Sequence, residues 1–460
     1  MNNNLEKILL KVQKPSRYTG GEYNSVIKDK NSGLIRFAFC FPDTYEVGMS
    51  HLGMRILYGM YNEREDTWCE RVFAPWADME EQMRKNGIKL FALESGDPID
   101  EFDFIGFTLQ YEMSYSNILN MLDLAGVPML AADRSEGMPF VIVGGPCAYN
   151  CEPIADFVDI VILGEGEEVN GEVMDLYADW KKSGGSRFDF LRSASAIEGV
   201  YIPSFYDVEY NSDNTVKAVT PKYDFVPARV RKRIVSDFDK VYYPTKVIVP
   251  STEIVHDRMM LELFRGCGRG CRFCQAGMIY RPIREKKAST LIKQAQELIE
   301  NTGYEEIALT SLSTSDYSEL KELCDGLLKI TEERKIGLSL PSLRVDNFSV
   351  ELMQKIQKVR KSGLTFAPEA GTQRLRDVIN KNVCEEDLKR SVSLAFAGGW
   401  SGVKLYFMIG LPTETDEDIE GIAHLAGLVG DEYFKLPKEK RNRGLSVTVS
   451  TSTFVPKPHT

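Results

Sequence analysis

A chain of 460 residues, 43% hydrophobic and 27% charged, has a globular composition and enough length for two or three domains with cores of their own. Its 67 acidic against 56 basic residues leave a net charge of −11, which argues against a broad nucleic-acid-binding face and leaves only a local basic groove open. No apolar run approaches the roughly 20 residues needed to span a bilayer, the start Met1 to Lys7 lacks a signal-peptide core, and nine cysteines, odd in number and partly clustered, fit reduced thiols in the cytoplasm.

Residues 1–33 are polar and turn-rich and read as an N-terminal extension. From 34 to 184 short apolar runs alternate with helical periodicity. Strands are expected at Leu34 to Phe41, Lys89 to Leu93, Phe104 to Thr108, Phe140 to Val143 and Ile160 to Leu163. Helices are expected at Val47 to Tyr61, Trp76 to Asn86, Ser114 to Ala125 and Glu167 to Lys182. This alternation predicts an α/β fold with a doubly wound, Rossmann-like sheet. Residues 185–252 are irregular and read as a connector with a small β element, Tyr206 to Tyr210 and Lys246 to Val249. The basic run Arg229 to Arg233 lies there and, with little aromatic interleaving, reads as a solvated edge or linker.

A second βα series fills 253–460, with strands expected at 259–264, 305–310, 337–341, 363–367, 402–408 and 445–451. The first runs into Gly266-Cys267-Gly268-Arg269-Gly270-Cys271-Arg272-Phe273-Cys274, three thiolates at C-x3-C-x2-C spacing from one glycine-rich loop. Three thiolates are one ligand short of closing a zinc site or fully ligating a four-iron cluster, and an open corner points to chemistry. A structural zinc would need a fourth ligand, but His256 precedes the strand and Cys324 lies far downstream. Arg265, Arg269 and Arg272 are placed to balance the charge of a thiolate-ligated cluster, and Phe273 offers a flat face.

The loop resembles the C-x3-C-x-aromatic-C signature of the radical S-adenosylmethionine (radical SAM) superfamily, with Cys267, Cys271, Phe273 and Cys274 matching it. The resemblance implies a partial (βα)6 TIM-type barrel. It also implies a [4Fe-4S] cluster held by Cys267, Cys271 and Cys274, and an S-adenosylmethionine cleaved by one electron to a 5'-deoxyadenosyl radical. The cosubstrate's other contacts would lie after later strands, where such barrels keep their chemistry. They are Ser313, Thr314 and Ser315 in a hydroxyl-rich turn in place of Gly-Gly-Glu, Arg344 for the methionine carboxylate, Glu369 for the ribose, and Gly410 and Glu414 beside adenine. Glu369 and Glu414 have an alternative role as helix caps. An electron donor such as flavodoxin or ferredoxin is implied. The Pro-rich ending at Thr460 suggests that the protein continues into a further module.

Upstream, Val143-Gly144-Gly145-Pro146, Leu163-Gly164-Glu165-Gly166 and Gly106-Phe107-Thr108 resemble the cobalamin-binding-type domain that precedes many radical SAM cores. Thr108, Gly144, Gly145, Gly164 and Gly166 would then be cobalamin contacts. The D-x-H-x-x-G motif is absent, Ser50-His51-Leu52-Gly53 being its nearest text, which weakens cobalamin without excluding it. Arg17 to Asn24, Phe41 to Gly53 and Phe73 to Trp76 resemble an uncharacterised bacterial family of such proteins. The expected reaction is radical generation with hydrogen abstraction, with cobalamin-assisted methyl transfer left open. Alternatives are methylthiotransferase-like sulfur insertion into RNA or protein, with a second cluster on Cys40, Cys69, Cys147 or Cys151, and a non-catalytic iron–sulfur scaffold or sensor.

Overall fold

The computed structural model describes residues 3–340, 364–441 and 444–460 and divides into two compact units, Met1–Asp257 and Arg258–Thr460. In the first unit the strands are β1 (Ile35–Phe41), β2 (Thr67–Phe73), β3 (Phe104–Thr108), β4 (Phe140–Gly144), β5 (Ile160–Ile162) and β6 (Val200–Tyr201). They form one sheet in the order β2-β1-β3-β4-β5-β6, parallel except for the last pair. The first five follow the doubly wound order 2-1-3-4-5, whose topological switch lies between the carboxyl ends of β1 and β3. Among the helices are α1 (Asn3–Leu9), α2 (Tyr45–Gly48), α3 (Leu52–Glu63), α4 (Ala77–Asn86), α5 (Tyr115–Ala125), α6 (Gly166–Ser183) and α7 (Arg187–Ala194). In α5 the buried Ile118, Met121, Leu122 and Ala125 recur at helical spacing, which is why that face turns to the sheet.

One strand stands where the sequence hid it. β2 replaces the expected strand at Lys89 to Leu93, which makes only an isolated bridge between Phe91 and Pro98. β2 is buried along its whole length although Glu70 and Arg71 sit at its centre. Arg71 is tolerated because its guanidinium bonds Glu22 at 2.7 Å and Glu94 at 2.6 Å, both carboxylates fully buried. Glu70 takes Arg36 from β1, whose guanidinium also lies 4.0 Å from the Phe102 ring centroid. Buried charges persist only when paired in this way.

Residues 185–257 fall within the first unit. They include the exposed hairpin β7 (Tyr206–Tyr210) and β8 (Val216–Pro221), while Lys246 to Val249 forms no strand and only bridges Val249 to Tyr23. The basic run returns to the sheet: Arg233 pairs with Glu168 at 3.0 Å and Glu172 at 2.6 Å on α6.

The second unit holds β9 (Met259–Glu262), β10 (Phe264–Arg265), β11 (Arg284–Glu285), β12 (Glu306–Thr310), β13 (Gly337–Ser339), β14 (Leu364–Glu369), β15 (Gly402–Ile409) and β16 (Ser446–Thr453). Two parallel sheets result, β13-β12-β9 and β14-β15-β16. Helices α8 (Ala276–Ile279), α9 (Ala288–Thr302), α10 (Leu320–Arg334), α11 (Gln373–Val378), α12 (Glu385–Ala397) and α13 (Asp416–Phe434) fall between the strands, the βα logic of a partial TIM-type barrel. No described helix is long and apolar enough to cross a membrane.

Candidate metal centre

The cysteine loop is closed at its base. Phe264 and Arg265 of β10 pair antiparallel with Glu285 and Arg284 of β11, so residues 266–283 project as one hairpin-like excursion. Gly266, at φ +92°, makes the first bend possible, since a Cβ there would lie 2.7 Å from the Pro282 carbonyl oxygen. Cys267, Cys271 and Cys274 are partly exposed and in no disulfide. Among the described residues no three His, Cys, Asp or Glu side chains stand close enough to hold a metal. The loop thus carries its three thiols on one platform without a converged, closed ligand set, and among the described residues no fourth protein donor joins them. That donor chemistry fits an inorganic cluster needing three protein thiolates better than a four-ligand zinc ion.

The segments after β12, β14, β15 and β16 are tied to this loop. Arg269 Nε donates to Asp316 Oδ2 at 2.8 Å, and Ser313 Oγ donates to the same oxygen at 2.7 Å. Ser313, Thr314 and Ser315 are buried, and Thr314 Oγ1 lies 3.1 Å from Ser311 Oγ, so part of this hydroxyl set serves the turn itself. The Arg272 N–H donates to the Ile379 carbonyl at 3.0 Å, its guanidinium to Val378 O at 2.6 Å, and Asn380 Nδ2 to Gly270 O at 2.9 Å. Phe273 packs against Ala370, Leu375, Ile379 and Leu411 in a small cluster that also takes Met408 and Phe454. The cysteine loop thus shares one apolar patch with residues following β14, β15 and β16.

Glu369 is the last residue of β14, beyond a β-bulge, at φ +70°. Its carboxylate pairs with Lys381 at 3.1 Å, and the Lys381 ammonium lies 5.9 Å from the Phe273 ring centroid. Glu369 therefore caps no helix but stands beside the cysteine loop. Glu414 does not cap either: its Oε2 accepts the Gly410 N–H at 2.6 Å and closes the turn after β15. Arg344 lies outside the described residues. Two of the three loop arginines depart from the charge-balancing role expected of them. Arg265 is neutralised by Glu262 at 2.8 Å and Arg269 by Asp316, whereas Arg272 has no carboxylate partner among the described residues.

Sequence reasoning passed over the residues that lock these turns together. Asp418, its side chain 1% exposed, accepts from Thr372, from Arg374, and from the N–H and hydroxyl of Thr415, each at 2.9 Å. Burial alone would raise its carboxyl, but these donors outweigh it and hold it down to about 2. The capping-box spacing Thr415-x-x-Asp418 was the available signal. Lys381 and Asn380 announced themselves only as the run Asn380-Lys381-Asn382, whose asparagines take left-handed backbone at φ 54° and 52°.

In the first unit the glycine-rich turns are occupied mostly by the chain itself. A Cβ on Gly164 would lie 2.1 Å from the Arg233 carbonyl oxygen, because Arg233 forms a bridge there. A Cβ on Gly166 would meet Asn170 at 2.6 Å. On the side a Cβ would occupy, these two glycines face neighbouring protein. Gly144 and Gly145 abut the turn after β3: the Leu109 N–H donates to Gly144 O at 2.7 Å, and a Gly145 Cβ would lie 3.1 Å from Gln110 Nε2. Gln110 donates to the Thr108 hydroxyl and hydrogen-bonds the His51 ring, whose Nδ1 accepts the Met54 N–H at 3.2 Å as the cap of α3. Burial lowers His51 to about 4, with Gln110 opposing and Arg55 adding to the drop. His51 is thus a neutral ring engaged within the fold.

Cys40, Cys69, Cys147 and Cys151 are buried, and burial raises the Cys40 and Cys69 thiols and pushes Cys151 up to about 12. Burial of this kind suits small apolar side chains packed in a core.

The sequence matches two family models, "Radical SAM proteins, N-terminal" over residues 53–203 and "Radical SAM superfamily" over 261–426. The chain belongs to the radical SAM superfamily, and it is an enzyme whose cofactors are a [4Fe-4S] cluster and S-adenosylmethionine. It is 32% identical over 428 residues to the uncharacterized protein MJ0966 of Methanocaldococcus jannaschii, covering 92% of this chain and 78% of that one. The ribosomal protein uS12 methylthiotransferase RimO of Pelotomaculum thermopropionicum is 26% identical over 171 residues, 35% of this chain and 38% of its own length. Among solved structures, the cobalamin-dependent radical enzyme OxsB with aqua-cobalamin bound aligns with TM-score 0.58 and 15% identity over 92% of this chain and 57% of that one. The radical methyltransferase TsrM of Kitasatospora setae aligns with TM-score 0.56 and 12% identity, over 86% of this chain and 71% of that one. At such identities the likeness is one of fold: a Rossmann-like domain and a TIM-type radical SAM domain. The chain spans little more than half the length of OxsB.

Proposed function

We propose that Cys267, Cys271 and Cys274 hold the cluster, and that S-adenosylmethionine lies across the turns of Ser313 to Ser315, Glu369 and Gly410 to Glu414, with Arg344 on its carboxylate. The observation that carries this reading is the junction of Phe273, Ala370 and Leu411 in one apolar patch, with Arg269 reaching the turn of Asp316. When bound, the pair supplies reductive cleavage of the sulfonium and a 5'-deoxyadenosyl radical for hydrogen abstraction from an unactivated carbon. The chain's part is to position and to exclude water. Phe273 and Lys381 form one wall, Glu369 presents a carboxylate fixed by Lys381, and Glu414 holds the Gly410 turn shut.

The Rossmann-like domain, which we bound at 34–184, is proposed to bind cobalamin at the β1/β3 switch, for methyl transfer. Thr108, Gly144 and Gly145 remain the candidate contacts there, and the engagement of His51 supports binding without a histidine beneath the cobalt. A small cytoplasmic iron–sulfur protein or flavoprotein, ferredoxin or flavodoxin, would be the reductant. Anaerobic reconstitution with iron, sulfide and cobalt measured per chain tests the whole reading. It expects about four iron and four sulfide, against about eight of each for a methylthiotransferase with two clusters. Release of 5'-deoxyadenosine by a Cys271→Ala chain would overturn the ligand assignment. A cluster insensitive to S-adenosylmethionine would make it a scaffold or sensor.

A further inference from the structure

The sheet β14-β15-β16 has two unlike faces. Leu364, Phe366, Val403, Leu405 and Phe407 are buried in one cluster with Val392, Ala395 and Phe396 of α12 and Leu425 and Val429 of α13. Side chains alternate along a strand, and register partners in a parallel pair share a face. The opposite face therefore carries Lys404, Tyr406 and Met408 of β15 beside Thr448, Ser450 and Ser452 of β16. In a TIM-type barrel the helices lie outside, so this is the inner wall, which closed barrels fill with layers of branched apolar side chains.

Here the wall is polar and open. Tyr406 of β15 is 41% exposed and Thr365 of β14 is exposed on the same face, while β16, the last strand, is exposed on both faces, at Thr448 and Ser452 as at Val449 and Thr451. The Lys404 ammonium lies 4.6 Å from the Tyr406 ring centroid and has no carboxylate partner among the described residues. Met408, at the upper end of the row, joins the cluster that takes Phe273. Four residues separate Met408 from Lys404, about 13 Å along an extended strand. The row thus leads down from the cysteine loop to an ammonium group and a ladder of hydroxyls.

We infer that this wall is the substrate-binding surface and that it selects a small organic anion, its carboxylate or phosphate on Lys404, its body against Tyr406, and its remaining polar groups on Thr448 and Ser450. An ammonium beside an aromatic face and hydroxyls matches an anion by charge and leaves a neutral hydrocarbon without partners for the wall's polar groups. The inference rests on the barrel being the site of radical generation.

The test is protection of Lys404 from an amine-acylating reagent, read by peptide mass spectrometry on the full chain in inorganic phosphate, succinate or glycerol. Acylation of Lys404 should slow saturably in phosphate or in succinate, about tenfold when the anion stands near ten times its Kd. Glycerol should leave it unchanged, and so should every probe at the exposed Lys240. Whichever of phosphate and succinate protects identifies the acid. Lys404→Gln should abolish saturable broadening of the phosphorus or methylene signal of that probe. Equal acylation in all three solutions would overturn the inference. The readout needs no cluster, so a chain that protects Lys404 yet assembles no cluster refutes the cofactor reading alone, and the reverse refutes this one alone.

Discussion

Replacing Asp418 by Asn probes whether the two turns proposed to cradle S-adenosylmethionine are held by one buried charge. Asp418 ties Thr372 and Arg374, which follow β14, to Thr415, which follows β15. Its carboxyl is held at about 2 in the folded chain, against 3.8 ordinarily, so the charged form is favoured by nearly two pH units on folding. At neutral pH that corresponds to about 2 kcal/mol of stability. The folded value is the depressed one, so the contribution is complete above about pH 4 and lost as pH falls through about 2. Hydrogen exchange of peptides from α13, run from pH 7 to pH 3 and corrected for intrinsic rates, reads this locally. Asp418→Asn should lower the opening free energy by about 2 kcal/mol at pH 7, and the gap to the parent chain should narrow only at the acid end. A gap unchanged over the whole range would show that the charge of Asp418 holds nothing. S-adenosylmethionine affinity should fall with it, measured by calorimetry at neutral pH.

In the cluster-free chain, iodoacetamide at pH 8 should alkylate Cys267, Cys271 and Cys274 and spare Cys40, Cys69 and Cys151, whose thiols burial keeps protonated; peptide mapping reads the difference. Arg71→Met should destabilise the first unit by about 3–5 kcal/mol, since Glu22 and Glu94 would stay buried without their partner, and urea unfolding would measure it. Gly164→Ala should free the segment around Arg233, because its Cβ has no room beside that carbonyl. Proteolysis should then cut between 229 and 236, with cobalamin binding, where present, unaffected.

The βα rhythm was legible where core strands are short apolar runs bounded by turns, as at Phe140–Gly144 and Ile160–Ile162, and Phe104–Thr108 emerges with the bounds expected of it. β2 was not legible, since Glu70 and Arg71 interrupt its pattern and only partners from distant segments, Glu22, Arg36 and Glu94, make their burial tolerable. The cysteine loop could be read from spacing alone. Its attachments could not: Arg269 meets Asp316, and Asn380 meets Gly270, across separations that no local pattern encodes. The glycines after β5 carried a signal, but it was one for close backbone approach, and sequence does not say whether a ligand or Arg233 does the approaching.

The pairing of the loop arginines bears on what the site attracts. Three thiolates on one loop concentrate negative charge, and two of the three arginines beside them are already neutralised by Glu262 and Asp316. Lys381 is matched by Glu369, and the Arg272 guanidinium bonds a backbone carbonyl rather than a carboxylate. A four-iron core bound there would bring positive charge of its own against the three thiolates, so these pairings leave the loop near neutrality and do not by themselves select a cation. Lower on the same barrel wall stands the ammonium of Lys404. An anion bound there, as proposed, would stand about 13 Å below the loop, where unit charges interact by only on the order of 1 kcal/mol at an effective dielectric of about 20, a fewfold effect on binding.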